Sequence, residues 1–146
     1  MNKVRLYSND FSLTGYENIE VVSADDLVKT DKFDQGELDE LILDEIVDYM
    51  PINKVEDILS KLSKLIKVGG KLVVTGSDLY EVCKAFTLYR SDIVGVNKGI
   101  FGENPDRPKR VGFSASAISN FLQQNVGLKI LKKRVNNFTY MIEATR

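Results

Sequence analysis

Three carboxylates, Asp44, Glu45 and Asp48, follow directly on the apolar run LDELIL at residues 38–43, and they are the groups of this chain best placed to do chemistry. Leucine and isoleucine at consecutive positions are expected of a strand buried on both faces of a parallel sheet. Groups just beyond such a strand lie at the carboxyl edge of the sheet, where open α/β sheets bind their ligands. Glu45 or Asp48 could serve there as a general base. The plainer alternative is a solvated acidic face at a helix start, favoured by the helix dipole.

What is missing narrows the chemistry further. The 146 residues include no histidine, which removes Ser-His-Asp and Cys-His nucleophile systems, His-ligated metals and the usual base at neutral pH. The single cysteine, Cys83, can form neither an internal disulfide nor a thiolate metal site. Its apolar helical surroundings predict a small buried side chain. No metal site is expected. A net charge of -1 gives no general argument for nucleic acid or for an acidic membrane surface. Arg107, Lys109 and Arg110, with Lys132, Lys133 and Arg134, are a candidate basic patch for a phosphorylated or acidic acceptor, against the plain reading of solvated surface charge. The beginning MNKVRLYS holds no long apolar run, so neither a signal peptide nor a membrane span is expected and the location expected is cytoplasmic.

These residues need elements to position them. Residues 4–7 read as a first strand and residues 18–22 as a second, followed by a helical turn that Ser23 or Asp25 can cap. Residues 53–66 show the clearest helical periodicity, with Asn53 as cap, Glu56 three residues on, and Gly69-Gly70 as the stop. Residues 71–75 form another interior strand, and residues 78–89 return to helical spacing. Residues 91–112, with four glycines and two prolines, read as a long functional or mobile loop. The spacing of Gly95, Gly99 and Gly102 lacks the strand–turn–helix context of a phosphate loop. Ser114 starts a further helix, and residues 129–133 and 138–144 close the chain as an antiparallel hairpin. The length suits one domain over residues 1–146.

This order resembles the class I S-adenosylmethionine-dependent methyltransferases, and four blocks carry the likeness. LDELILDEIVDYMP (38–51) is similar, without a gap, to VDEIYASHVLEHFP of small predicted methyltransferases of the type 11 kind. KLSKLIKVGGKLVVTGSDL (61–79) resembles their RVLKPGGRLVISVPDL, and GENPDRPKRVGF (102–113) and NFLQQNVGLKIL (120–131) resemble two later blocks. VRLYSND followed by LTGYENIEV is similar, more loosely, to LNLGCG followed by LPGYINVDI.

The resemblance implies a Rossmann-like α/β fold, a mostly parallel sheet with a C-terminal antiparallel hairpin, compact or partly truncated in its N-terminal half. It implies S-adenosylmethionine as cofactor and a methyl acceptor it does not identify. The family's glycine loop falls on Tyr7, Ser8, Asn9 and Asp10, so that loop is degenerate here. Glu20 matches the acidic residue that accepts from the ribose hydroxyls, and Asp26 the acidic position near the adenine. Leu43 and Asp44 fall beside the cofactor, with Glu45 and Asp48 toward the acceptor. The family's SH and EH pairs fall on Asp44-Glu45 and Asp48-Tyr49, and its later histidine on Lys109. Two readings follow: a methyltransferase whose acceptor enters beneath residues 91–112, or a methyltransferase-like pseudoenzyme that has lost the cofactor and acts through protein contacts, a homo-oligomer among them.

Overall fold

The computed structural model describes residues 1–8 and 12–146. Six strands form one sheet: β1 (Lys3–Tyr7), β2 (Glu17–Glu20), β3 (Leu38–Asp44), β4 (Ile66–Ser77), β5 (Lys129–Asn136) and β6 (Thr139–Thr145), in the order β2-β1-β3-β4-β6-β5. The first four run parallel; β6 is antiparallel to β4, and β5 to β6. Four helices complete the fold: α1 (Val55–Ser63), α2 (Leu79–Thr87), α3 (Ile93–Phe101) and α4 (Ala115–Gln124). This is the expected Rossmann-like arrangement with its terminal hairpin.

The apolar runs explain the layering. Leu38, Leu41 and Leu43 of β3 and Leu72 and Val74 of β4 are fully buried, each stabilising by roughly 1.5–3 kcal/mol relative to exposure. From α1, Val55, Leu59 and Leu62 join the same core, and Ile118 and Leu122 of α4 do so beside β5 and β6.

The N-terminal half is compact for a clear reason. Parallel neighbours are normally joined by a dozen or more residues carrying a helix. Here residues 8–16 join β1 to β2 with no helix among the described ones, and a 3-10 turn (Ala24–Thr30) is the regular element between β2 and β3.

Four expectations are corrected. The helix expected over 53–66 is shorter, because a 3-10 turn (Ile52–Lys54) precedes α1 and the sheet takes over soon after it. The carbonyls of Lys64 and Leu65 accept from the amides of Gly36 and Leu38, drawing the chain into β4 at Ile66. Gly69-Gly70 therefore lies inside β4, where a Cβ on Gly70 would sit 2.6 Å from Ile66 Cγ2 and 2.9 Å from the Lys67 carbonyl oxygen.

The 91–112 segment is not one loop. Asp92 accepts from the Gly95 amide at 2.8 Å and starts α3, whose Gly99 lets α2 approach, since a Cβ there would meet Val82 at 2.9 Å. Cys83, expected to be buried, is exposed, because Val82 and Ala85 are the α2 positions that face inward.

Candidate functional site

The sheet order reverses between β1 and β3, since the chain passes from β1 outward to β2 and then back across to the other side of β1. A crevice outside the carboxyl ends of the strands is expected at such a switch point. Tyr7 and Asp44 are register partners there, with Glu20 opposite Tyr7 on the outer side.

Asp44 is held from two directions. Arg5, nearly buried in the middle of β1, donates through Nε at 3.1 Å and through a second, shorter bond, and Thr75 Oγ1 donates at 2.8 Å. The Asp44 carboxylate is therefore neutralised and fixed. Its neighbour Glu45 adopts the left-handed conformation at φ 59°, with its amide on the Thr75 carbonyl at 3.2 Å. A left-handed residue with a side chain costs about 1–3 kcal/mol, and such strain concentrates at functional sites.

Asp48 is completely buried. Oδ2 accepts from the Ser77 amide at 2.9 Å and pairs with Lys109 Nζ at 3.3 Å, and Nζ also bonds the Ser77 hydroxyl. Among the described residues Oδ1 has no partner, and neither does the hydroxyl of buried Tyr140. Both atoms crowd Gly76, where a Cβ would lie 2.5 Å from the Tyr140 oxygen and 2.8 Å from Oδ1. Burial pushes the Asp48 carboxyl above the ordinary carboxylate range, outweighing the Ser77 amide and Lys109. Burial also raises the Tyr140 phenol, with the Asp48 charge adding to it.

Arg107 reaches across the crevice. Its guanidinium donates to the Ser8 carbonyl at 2.9 Å and the Val21 carbonyl at 2.6 Å, joining the ends of β1 and β2, and lies 4.5 Å from the centre of the Tyr49 ring. Arg107 Nε and Ser8 Oγ are buried at this point without hydrogen-bond partners among the described residues. The segment is held from below as well, because the Asp48 carbonyl accepts from the amides of Arg110 and Val111.

The residues singled out from sequence are thus distributed unevenly. Tyr7, Ser8, Asp44, Glu45 and Asp48 line the carboxyl edge. Glu20 is exposed at the end of β2, and its carboxylate has no partner among the described residues. Asp26 is engaged otherwise: it pairs with Lys29 and accepts from the Val22 and Ser23 amides, which together bring its carboxyl down to about 2. Leu43 is a core side chain with no exposure, so any ligand contact from it would be through its backbone. Asn9 and Asp10 lie outside the described residues. The basic cluster is not one solvated patch: Arg107 and Lys109 turn inward, and Lys132 pairs with Glu143.

Arg5, Thr75, Gly76, Ser77 and Tyr140 were not anticipated. For Arg5 a signal existed, namely a charge in the middle of an apolar strand, which must find a partner on a neighbouring strand. Nothing local marks Tyr140, which reaches Gly76 only through β4–β6 pairing.

No protein-family model matches the sequence, and no curated protein matches it by sequence. Solved structures do match. The PH0226 protein from Pyrococcus horikoshii has a TM-score of 0.63 at 11% identity, over 99% of this chain and 81% of that one. A SAM dependent methyltransferase from Archaeoglobus fulgidus has a TM-score of 0.57 at 11% identity, over 97% and 74%. The 1,6-didemethyltoxoflavin-N1-methyltransferase of Burkholderia thailandensis, with S-adenosylhomocysteine bound, has a TM-score of 0.55 at 11% identity, and this chain covers 52% of it. At these identities the likeness establishes the class I methyltransferase fold.

Proposed function

We propose that this chain is an S-adenosylmethionine-dependent methyltransferase, similar to small type 11 enzymes but with a degenerate glycine loop, working as one domain over residues 1–146. The observation that carries the reading is the state of Glu20. Asp26 and Asp44 are both engaged within the protein, whereas the Glu20 carboxylate at the end of β2, beside the switch point, has no partner among the described residues. An open carboxylate at that position suits two ribose hydroxyls. Arg107 and Ser8 fit the charged end of the same ligand, since Nε and Oγ are buried there without partners among the described residues and a carboxylate accepts from both.

The cofactor, when bound, supplies an activated methyl group. The protein's task is then alignment, which alone is worth several kcal/mol of barrier when the reacting atoms are held in line. Glu20, Ser8 and Arg107 would bind and orient, and the Arg5–Asp44–Thr75 set keeps the floor of the crevice rigid and neutral. Asp48, with its carboxyl raised by burial and Oδ1 unpartnered, is the group suited to accept a proton from a neutral acceptor. The acceptor itself is unidentified at this level.

Thermal melting with S-adenosylmethionine and S-adenosylhomocysteine tests the reading. Ligand at about 100 times its dissociation constant stabilises the native state by about 2.7 kcal/mol, and Glu20→Ala should remove most of the shift. An unchanged melting temperature at millimolar ligand sinks the enzyme reading.

A second reading has its own observation. Arg107 already fills the crevice with two hydrogen bonds to strand ends. A chain that stoppers its own switch point is suited to be a methyltransferase-like pseudoenzyme acting through protein contacts.

A further inference from the structure

Beyond Asp48 and Lys109 the carboxyl edge opens into a cavity of about 160 Å³, placed between α3 and the segment leading to Gly112. Leu79, Phe101 and Val111 supply apolar walls, and Ser77, Lys109 and Arg110 the polar end. We propose that this cavity binds a single-ring aromatic carboxylate, with the ring between the apolar walls and the carboxylate on Lys109 and Arg110.

Size sets the ring. An apolar protein cavity of about 150 Å³ accommodates benzene, so this space takes one ring and little more. Charge sets the head group. The lining contains two cations and no carboxylate. Asp48 behind Lys109 offsets one of them, so an anion is favoured. Lys109 has three donors and spends them on Asp48 and Ser77, which leaves one for a ligand oxygen. The Arg110 side chain is exposed at the same rim, available for the second oxygen. A phenol, with a pKa near 10, arrives neutral at pH 7, whereas a carboxylic acid near 4 arrives charged.

The cavity also has an apolar extension. A wider hollow of about 450 Å³ shares Phe101 and continues past Ile93 to Pro105. A ring carrying an apolar substituent opposite its carboxylate would fill both.

Binding of this class does not depend on a cofactor. Its use as methyl acceptor rests on the function proposed above. In that step a carboxylate oxygen bonds to the methyl carbon as the methyl–sulfur bond breaks, with the electron pair left on sulfur. An acceptor of this class is already an anion, so no proton has to be removed, and for it Asp48 serves to hold Lys109 in place instead of acting as a base.

The test is titration of the full chain, without cofactor, with benzoate, benzamide, benzylamine and 4-butylbenzoate, followed by amide NMR shifts. Saturable shifts at Ser77, Val111 and Gly112 are expected with benzoate, about tenfold weaker binding of benzamide, none of benzylamine, and tighter binding of 4-butylbenzoate. Arg110→Gln, a surface change, should weaken benzoate about tenfold and leave benzamide unchanged. Phe101→Ala should remove the advantage of the butyl group. Equal binding of benzoate and benzamide, or shifts elsewhere in the protein, overturns the proposal, as does no shift at tens of millimolar. Benzoate binding without methyl transfer upholds the cavity and counts against the enzyme reading alone.

Discussion

Lys109 Nζ lies 3.3 Å from Asp48 Oδ2 at a point where the carboxylate has no solvent exposure. Lys109 falls on a histidine position, and Asp48 on a glutamate, of the family this sequence resembles, and the pair fastens the 102–113 segment to the turn after β3. Breaking a buried pair by removing one partner costs about 3–5 kcal/mol, whereas replacing both is far milder. Lys109→Met should therefore destabilise strongly, and Asp48→Asn with Lys109→Met should recover much of that loss in urea unfolding. Additive losses would mean the two side chains do not act as a pair.

Arg107→Ala separates the two functional readings by sign. If the guanidinium anchors the cofactor's carboxylate, the variant should bind S-adenosylhomocysteine about tenfold more weakly, the usual order for one charge-assisted contact. If it acts as a stopper, binding should appear or tighten. The enzyme account predicts weaker binding, measured by calorimetric titration beside the parent chain.

Gly76→Ala should cost several kcal/mol, because its Cβ would lie 2.5 Å from the Tyr140 oxygen and 2.8 Å from Asp48 Oδ1 inside a closed core. Removing the hydroxyl relieves the tightest of these contacts but leaves the ring carbon Cζ at 2.7 Å, so Tyr140→Phe in the Gly76→Ala background should restore a small part of the stability. Chemical denaturation of the parent and both variants checks this. A neutral Gly76→Ala would contradict the packing.

Two carboxylates should give opposite pH slopes. The Asp48 carboxyl is raised in the folded state, so its contribution is full below the ordinary carboxylate range and is lost as pH rises through the raised value. The advantage of the parent over Asp48→Asn should shrink as pH rises from acid toward neutral. Asp26 is lowered to about 2, so its advantage over Asp26→Asn should hold above the ordinary carboxylate value and fade as pH falls toward 2. Urea unfolding across the acid range measures both. Matching slopes would contradict the assignment.

The parts of the fold that could be read from sequence are those whose signal is local. The consecutive apolar residues of β3, the Ser114 cap and the closing hairpin all depend on near neighbours. The misread parts depend on distant ones. Gly69-Gly70 resembles a helix stop, yet the glycines serve a bulge against β3. The α3 glycines resemble loop residues, but Gly99 is a packing glycine against Val82. For the site, sequence located the acidic edge, and it missed Arg107 in the crevice, since no local pattern shows that residue 107 returns to residues 8 and 21.

The central claim is that the carboxyl edge between β1 and β3 binds S-adenosylmethionine. Amide hydrogen exchange with and without S-adenosylhomocysteine addresses it directly. The account predicts slower exchange in the presence of ligand at Tyr7, Ser8, Val21 and Glu45, with the Glu20→Ala protein showing none of it. Unchanged exchange at those four amides under millimolar ligand would contradict it.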